Sequence, residues 1–436
     1  MLDNVVSIPK IPELRRRLLI TIFILAVYRL GVAIPTPGVN AHALAMFFSQ
    51  NTGTLFGLFN LFSGGAFEHF SIFTLGIMPY ISAAIIMDLL TAVFPYLENL
   101  KKEGELGRKK ITQYTRYGTV LISMVQGFVI SYGLESMHAP NGGSIVVNPG
   151  FSFRILSTIT LTSGTVFLMW LGEEITERGV GNGISLIIYA GIVARIPAAI
   201  MNTITLVKSG EMSAFTLIFL IVLMIAVVAF IIFVELGQRK IPVQYAQRIV
   251  GRRVYGGQET HLPLKVNSAG VIPPIFASSL LMIPATITSM SHISWLSFLK
   301  TYLFPGSLMY NSFYAVLIIF FTFFYTAVTF NPVDVADNLK KYGGYVPGIR
   351  PGKSTSDYID KILTRITVGG ALYLTLVCVL PTVLTSRFNV PFYFGGTSLL
   401  IVIGVALDTI SQVEAQLVMR NYDGITKNVK MKGRRW

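Results

Sequence analysis

Cysteine is almost missing from this 436-residue chain: Cys378 stands alone, inside an apolar run. One cysteine excludes an intrachain disulfide framework and a thiolate metal cluster. Histidine is scarce too. His42, His69, His138, His261 and His292 are scattered singly, without the short spacings that bring metal ligands together. No G-x-x-x-x-G-K-[ST] run supplies a phosphate loop, and the apolar stretches hold no paired nucleophile and base. Charge is thin, at 13% of residues against roughly 25% in a soluble domain. Acids are outnumbered 21 to 35 by lysine and arginine, for a net charge of +14.

What fills the chain instead is apolar sequence, 53% of residues. It falls into ten segments of about 17–24 residues: 18–34, 72–94, 117–136, 154–173, 183–206, 213–235, 268–290, 312–331, 366–385 and 394–417. Hydrocarbon leaves backbone groups unsatisfied at several kcal/mol each, so only helices and closed barrels span it. Segments near 20 residues match a helix, whereas a barrel strand needs ~10. The pattern predicts an all-α polytopic membrane protein. The first segment, preceded by Lys10 and Arg15–Arg17, is followed by Pro35-Thr36-Pro37-Gly38 rather than a small-residue cleavage site, and reads as a retained span.

Basic residues fall on every second loop. All but Arg29, Arg154, Arg195, Lys208, Lys300 and Arg387 lie before the first span, after the last, or in loops 95–116, 174–182, 236–267 and 332–365. The positive-inside rule makes those regions, and both termini, cytoplasmic. Loops 236–267 and 332–365 are longer than orientation requires, and long loops in compact proteins are commonly functional or disordered. Tyr245, Val254, Tyr255 and Tyr342–Pro347 give them the apolar and turn-forming residues of ordered structure. Their charge has two readings: topology alone, or a docking surface for an acidic partner.

The external stretch 35–71 is irregular. Thr54 to Phe70 carries Phe56, Phe59, Phe62, Phe67 and Phe70 but is interrupted by Gly64-Gly65. A half-helix folded into the protein interior fits, and so does an amphipathic helix on the headgroups. Ionisable residues within spans are few: Arg29, Asp88, Arg195, Asp408 and Glu414. Arg29, Arg195 and Glu414 lie near span ends, where long side chains snorkel to the interface. Ile81 and Ile85 are four apart, as are Ile188 and Ile192, so each pair shares a helix face. Such a face packs in a core, meets lipid, or rings a pore as a dewetting gate; spacing leaves the three open.

Longer motifs narrow the choice. IPELRRRL (Ile11–Leu18), IPTPGVN (Ile34–Asn40), NLFSGGA (Asn60–Ala66), LGIMPYISA (Leu75–Ala83) and GVGNGISL (Gly179–Leu186) occur in order. They are followed by GRRVYGGQETHLPLKVNSAGVIPPIFASS (Gly251–Ser279), NPVDVADNLKKYGGYVPGIRPG (Asn331–Gly352) and GGTSLLIVIGVALDTISQVEAQL (Gly395–Leu417). Across nearly its whole length the chain resembles the SecY family, the pore subunit of the bacterial Sec protein translocon.

That resemblance implies ten transmembrane helices in two inverted pseudo-symmetric five-helix halves around a central pore, here 1–210 and 211–436. It implies a pore ring at Ile81, Ile85, Ile188, Ile192, Ile275 and Ile401. It implies a plug at about 54–67, including Phe56, Phe59, Asn60, Phe62, Ser63, Gly64, Gly65 and Phe67. Lys240, Arg252, Arg253 and Arg350 match positions that dock the ribosome, with its RNA, or the SecA motor ATPase; Lys240 stands where arginine is expected. Thr91, Gln126 and Asn267 match the polar cluster of a lateral gate that releases apolar helices into membrane lipid. SecE and SecG are the implied membrane subunits, signal peptides and nascent polypeptides the implied cargo, and the bacterial cytoplasmic (inner) membrane the implied location. No cofactor and no enzymatic activity are expected. The rival reading is an inverted-repeat secondary transporter, which needs polar ligands at the midplane where this chain has isoleucines.

Overall fold

The computed structural model describes residues 12–40, 43–44, 46, 60, 63–135, 144–210, 213–245, 248–250, 253–255, 259–290, 307–388 and 396–428. In chain order the helices are α1 (Pro12–Val32), α2 (Met78–Val93), α3 (Pro95–Lys102), α4 (Glu105–Glu135), α5 (Phe151–Arg178), α6 (Gly183–Val193), α7 (Ile196–Lys208) and α8 (Ala214–Leu236). Strands β1 (Gln238–Tyr245), β2 (Arg248–Val250), β3 (Arg253–Tyr255) and β4 (Glu259–Lys265) follow. Then come α9 (Ile272–Met290), α10 (Leu308–Thr329), α11 (Pro332–Lys341), β5 (Gly344–Tyr345), α12 (Lys353–Phe388) and α13 (Gly396–Asn428).

Among the described residues seven helical stretches are long and apolar enough to cross a membrane, or eight if α2 and α3 form one bent span. Beyond these eight, the ten expected segments include those of α1 and α9. α1 carries Arg15, Arg16, Arg17 and Arg29 along its length, and of α9 (Ile272–Met290) the stretch with described side chains, Ile272–Leu281, is apolar. The fifth expected segment is one of the seven, Gly183–Lys208, with a turn inside it. It breaks at Ala194–Arg195 between α6 and α7, because Pro197 has no N–H to donate to the Val193 carbonyl.

The chain divides into two compact units, Met1–Ala199 with Ile401–Trp436, and Ile200–Leu400. In the first, α4 and α5 pack along each other and α2 lies on α4. Buried small residues on α5 (Ser157, Gly164, Thr165, Gly172) admit close backbone approach, the usual way helices pack where lipid cancels the hydrophobic drive. At one end of this pair Glu135 accepts from Arg154 at 2.6 and 2.8 Å and from the Gly150 amide at 2.8 Å. Towards the other end Arg116 grips Glu173 through two bonds of 2.9 and 2.8 Å, the bidentate form that fixes orientation. α2 ends at Phe94, extended at ψ 115° because the residue before a proline avoids the helical region. Pro95 then opens α3, and the chain turns by 99°.

In the second unit α10 packs on α9 and α12, with Phe276 edge-on to Phe321 at 5.8 Å and Tyr314 Oη 2.8 Å from Thr397 Oγ1. The two long basic loops fold into one body. β1 pairs antiparallel with β4 from Gln238↔Lys265 to Gln244↔Glu259, and β5 adds to its other edge through Gln244↔Tyr345. Ile241 on β1, Leu264 on β4, Val346 after β5 and Ile359 on α12 make its core. α12 is 36 residues long, a rise of about 54 Å. Its first turns belong to this body, and the remainder is long enough for a hydrocarbon core of ~30 Å.

Replacing Ile359, fully buried here, with alanine should cost roughly 2–5 kcal/mol. The check is limited proteolysis: cleavage between residues 238 and 265 should accelerate while cuts elsewhere keep their rates.

Candidate functional site

The first unit holds a stretch of backbone that is neither helix nor strand yet is almost wholly buried. From Ser63 to Ile77 the chain runs in successive turns, with Ala66, Phe67, Phe70, Ser71, Phe73 and Thr74 at most 4% exposed. Its polar groups are met by protein. Thr36 N–H donates to the Phe70 carbonyl at 2.8 Å and Ile72 N–H to Ile34 at 3.1 Å, beside a bridge between Pro35 and Ser71. Ser71 and Gly65 amides donate to Ala66 and Asn60 carbonyls, both at 2.9 Å. Asn60 Oδ1 accepts from the Glu68 amide and its Nδ2 donates to the Glu68 carboxylate, each at 3.1 Å.

Three glycines let this segment lie flat against helices. The Phe73 ring fills the place where Gly31 of α1 lacks a side chain, the Ile72 carbonyl does the same at Gly164 of α5, and Gly64 meets Gly191 of α6. Phe73 stacks at 6.1 Å on both Tyr28 and Phe167. Two arginines also reach it. Arg29 donates to the Gly64 carbonyl at 2.8 Å, and Arg195 stands 3.4 Å from Glu68. The sequence reading assigned both to snorkelling; instead their heads turn to the irregular segment, whose carbonyl and carboxylate supply partners. Tyr28, Gly31, Gly164 and Gly191 were likewise missed. Small residues within apolar spans were the available signal.

Of the plug residues, Asn60, Ser63, Gly64 and Phe67 are buried and Gly65 half-buried; Phe56, Phe59 and Phe62 lie outside the described residues. All six isoleucines expected in a ring are buried: Ile81 and Ile85 on α2, Ile188 and Ile192 on α6, Ile401 on α13, and Ile275 on α9. The first five belong to the first unit and Ile275 to the second. Asp88 is half-buried and Asp408 exposed.

The expected gate residues are placed separately. Thr91 on α2 is buried and donates to the Asp88 carbonyl of its own helix at 2.7 Å, and Gln126 is half-buried on α4. Asn267, 3% exposed in the second unit, donates to Glu235 at 2.7 Å and to the Gly270 carbonyl at 3.0 Å. Its Oδ1 is buried with no hydrogen-bond partner among the described residues. The Tyr373 hydroxyl donates to the same Glu235 oxygen at 3.5 Å. Of the docking residues, Lys240 is exposed on β1, on the sheet face opposite Ile241 and Val243, and Arg350 is exposed just before α12. Arg253 starts β3, paired with Val250, and Arg252 lies outside the described residues. Among the described residues no group of His, Cys, Asp or Glu is arranged to hold a metal.

This geometry has close relatives. The SecY family model matches residues 71–410. Protein translocase subunit SecY of Escherichia coli strain K12 is 53% identical over 425 residues, covering 97% of this chain and 96% of that one. A SecY structure whose plug domain stabilises the closed state of its translocation channel superposes with a TM-score of 0.63 at 17% identity, covering 97% of this chain and 98% of that one. Sec61 in the canine ribosome–channel complex from the endoplasmic reticulum does so with 0.61 at 15%, covering the same shares.

Glu235→Ala removes a charge-assisted partner from a buried amide, worth about 1.5–3 kcal/mol. A lower midpoint in thermal unfolding of the detergent-solubilised protein is the expected outcome, with Glu235→Gln recovering part of the loss.

Proposed function

The chain belongs to the SecY family, whose members are translocase subunits and not enzymes, and from that premise we propose that it is a gated protein-conducting channel. Unfolded polypeptides bearing signal sequences cross through it, and apolar helices leave it sideways into lipid. The observation that carries this reading is the buried irregular segment from Ser63 to Phe70. Non-helical backbone is tolerated at membrane depth only where protein buries it or it lines a cavity, and a removable plug needs such a segment. In this reading the plug spans residues 54–67, and Ile81, Ile85, Ile188, Ile192, Ile275 and Ile401 form the ring around the path. Branched side chains with few rotamers close such a ring against water and ions while yielding to a passing chain. The halves 1–210 and 211–436 flank it. Thr91, Gln126 and Asn267 belong to the lateral gate, where the unpartnered Asn267 Oδ1 offers an acceptor. Bonds of this kind average ~0.6 kcal/mol in membranes, so a signal helix competes with them.

Energy comes from outside the chain. Lys240 and Arg350 present cationic groups on the body built by β1, β4, β5 and α12, and with Arg252 and Arg253 they dock the ribosome or the SecA motor. Arginine suits phosphate and carboxylate by its bidentate fork. SecE and SecG complete the complex in the bacterial cytoplasmic membrane, with both termini cytoplasmic as the basic loops require. The secondary-transporter reading has no support from the family to which the chain belongs.

Photoreactive residues at positions 81, 192, 275 and 401 test the path during stalled export of a signal-bearing chain. Adducts should form at all four and not at Leu220 on α8; silence at all four while export proceeds removes the ring. Deleting residues 56–66 should make vesicles leak ions at rest, whereas a transporter would stay tight. Arg350→Glu should weaken ribosome binding at low salt and flatten its dependence on ionic strength, because each phosphate contact adds about one unit to the slope.

A further inference from the structure

Gly191 lies on α6 three residues after Ile188 and one before Ile192, so the helix face that carries those isoleucines also carries the glycine. Its neighbour across the contact is Gly64. A methyl group at Gly64 would stand 2.7 Å from Gly191 Cα and 2.6 Å from the Tyr28 hydroxyl; one at Gly191 would stand 3.1 Å from Gly64 Cα and 3.0 Å from that hydroxyl. Gly64 is doubly constrained, since its φ of +67° is disfavoured for any side chain. The Tyr28 hydroxyl donates to the Ser63 carbonyl at 3.3 Å. On either side of this contact sit Arg29, on the Gly64 carbonyl, and Arg195, beside Glu68. The break at Ala194–Arg195 closes α6 after eleven residues, so the short helix and the arginine that follows it both meet the segment.

We propose that Gly191, with Arg29 and Arg195, forms the seat of the plug, and that α6 couples the ring to it. The proposal rests on the reading of residues 54–67 as a plug. A chain that pushes Ile188 and Ile192 outward carries Gly191 with them, opening a contact where a side chain on Gly64 would clash and one on Gly191 would be tight. The plug therefore loosens as the ring widens, and the depth of the seat sets how much binding by a signal sequence is needed to open the channel. Gly191 and the two arginines act as positioning residues and do not touch the cargo.

The test is chloride efflux from vesicles holding the full-length chain in its native membrane complex, with inserted protein quantified for each variant. Gly191→Val should raise resting efflux by roughly tenfold through overpacking of the seat, and Gly191→Ala should do so by less. Glu68→Arg and Arg195→Glu should each leak, and the double variant should recover at least half of the lost tightness, which a general loss of packing would not allow. Where Gly191→Val fails to insert, Gly191→Ala and the charge exchange decide. Tight Gly191 variants at normal insertion, or a double variant as leaky as the singles, would overturn the seat. If the 56–66 deletion still leaks in those vesicles, only the seat is lost; a tight deletion removes the plug reading and the seat together.

Discussion

Hydrocarbon supplies no hydrogen-bond partner, so each departure from helix in this chain has to be satisfied by the protein itself. That constraint organises the first unit. The turns from Ser63 to Ile77 are held by carbonyls and amides of residues 34–36, by Asn60, and by Arg29. Glycines on three helices let that backbone approach closely enough for those bonds to form. The same rule applies where α6 gives way to α7: the Ala194, Arg195 and Ala199 amides find carbonyls at 3.0, 3.2 and 3.0 Å. A buried turn segment is thus costly in bonding partners but cheap to move as a piece, since most of its internal bonds go with it.

The basic loops obey a different rule because water is at hand. Their order comes from a small apolar core, Ile241, Leu264, Val346 and Ile359, and from a sheet in which β1 lies between β4 of its own loop and β5 of the other. Alternation along β1 turns Ile241 and Val243 inward and leaves Lys240 outside. The cations are thereby mounted on a folded platform, continuous through α12 with the apolar spans, and not on a tether.

Much of this was legible in advance. The sixth apolar segment, read as 213–235, is α8, Ala214–Leu236, because lipid-length runs of Leu, Ile, Val and Phe admit few alternatives. The break after Val193 was written in Pro197 but overlooked, since hydropathy runs straight through it. Tyr245 foreshadowed β1, and Val254 and Tyr255 the separate β2–β3 pair, although β5, on the other edge of β1, lies about a hundred residues away. Arg29 and Arg195 show the limit of span position as a guide. Distance from the span centre is visible in sequence; a carbonyl delivered by a buried turn 35 residues later is not. Asn267 was singled out by motif, yet its bond to Glu235 at the end of α8 needed coordinates.

The right-angled junction of α2 and α3 has a mechanical meaning for the bilayer. α3 buries Leu100 alone and leaves Lys101 and Lys102 exposed, while Val93, Phe94 and Tyr96 stand out at the corner. Aromatic rings and lysines settle at headgroup level, so this corner behaves as an outrigger that floats at the interface. Helices in membranes ordinarily meet a change in thickness by tilting, at fractions of a kcal/mol per Å. One fixed at right angles to a float cannot tilt freely, and the mismatch passes along α2 to the isoleucines it carries. Lipid composition therefore becomes a force on Ile81 and Ile85, applied from the side and without any ligand.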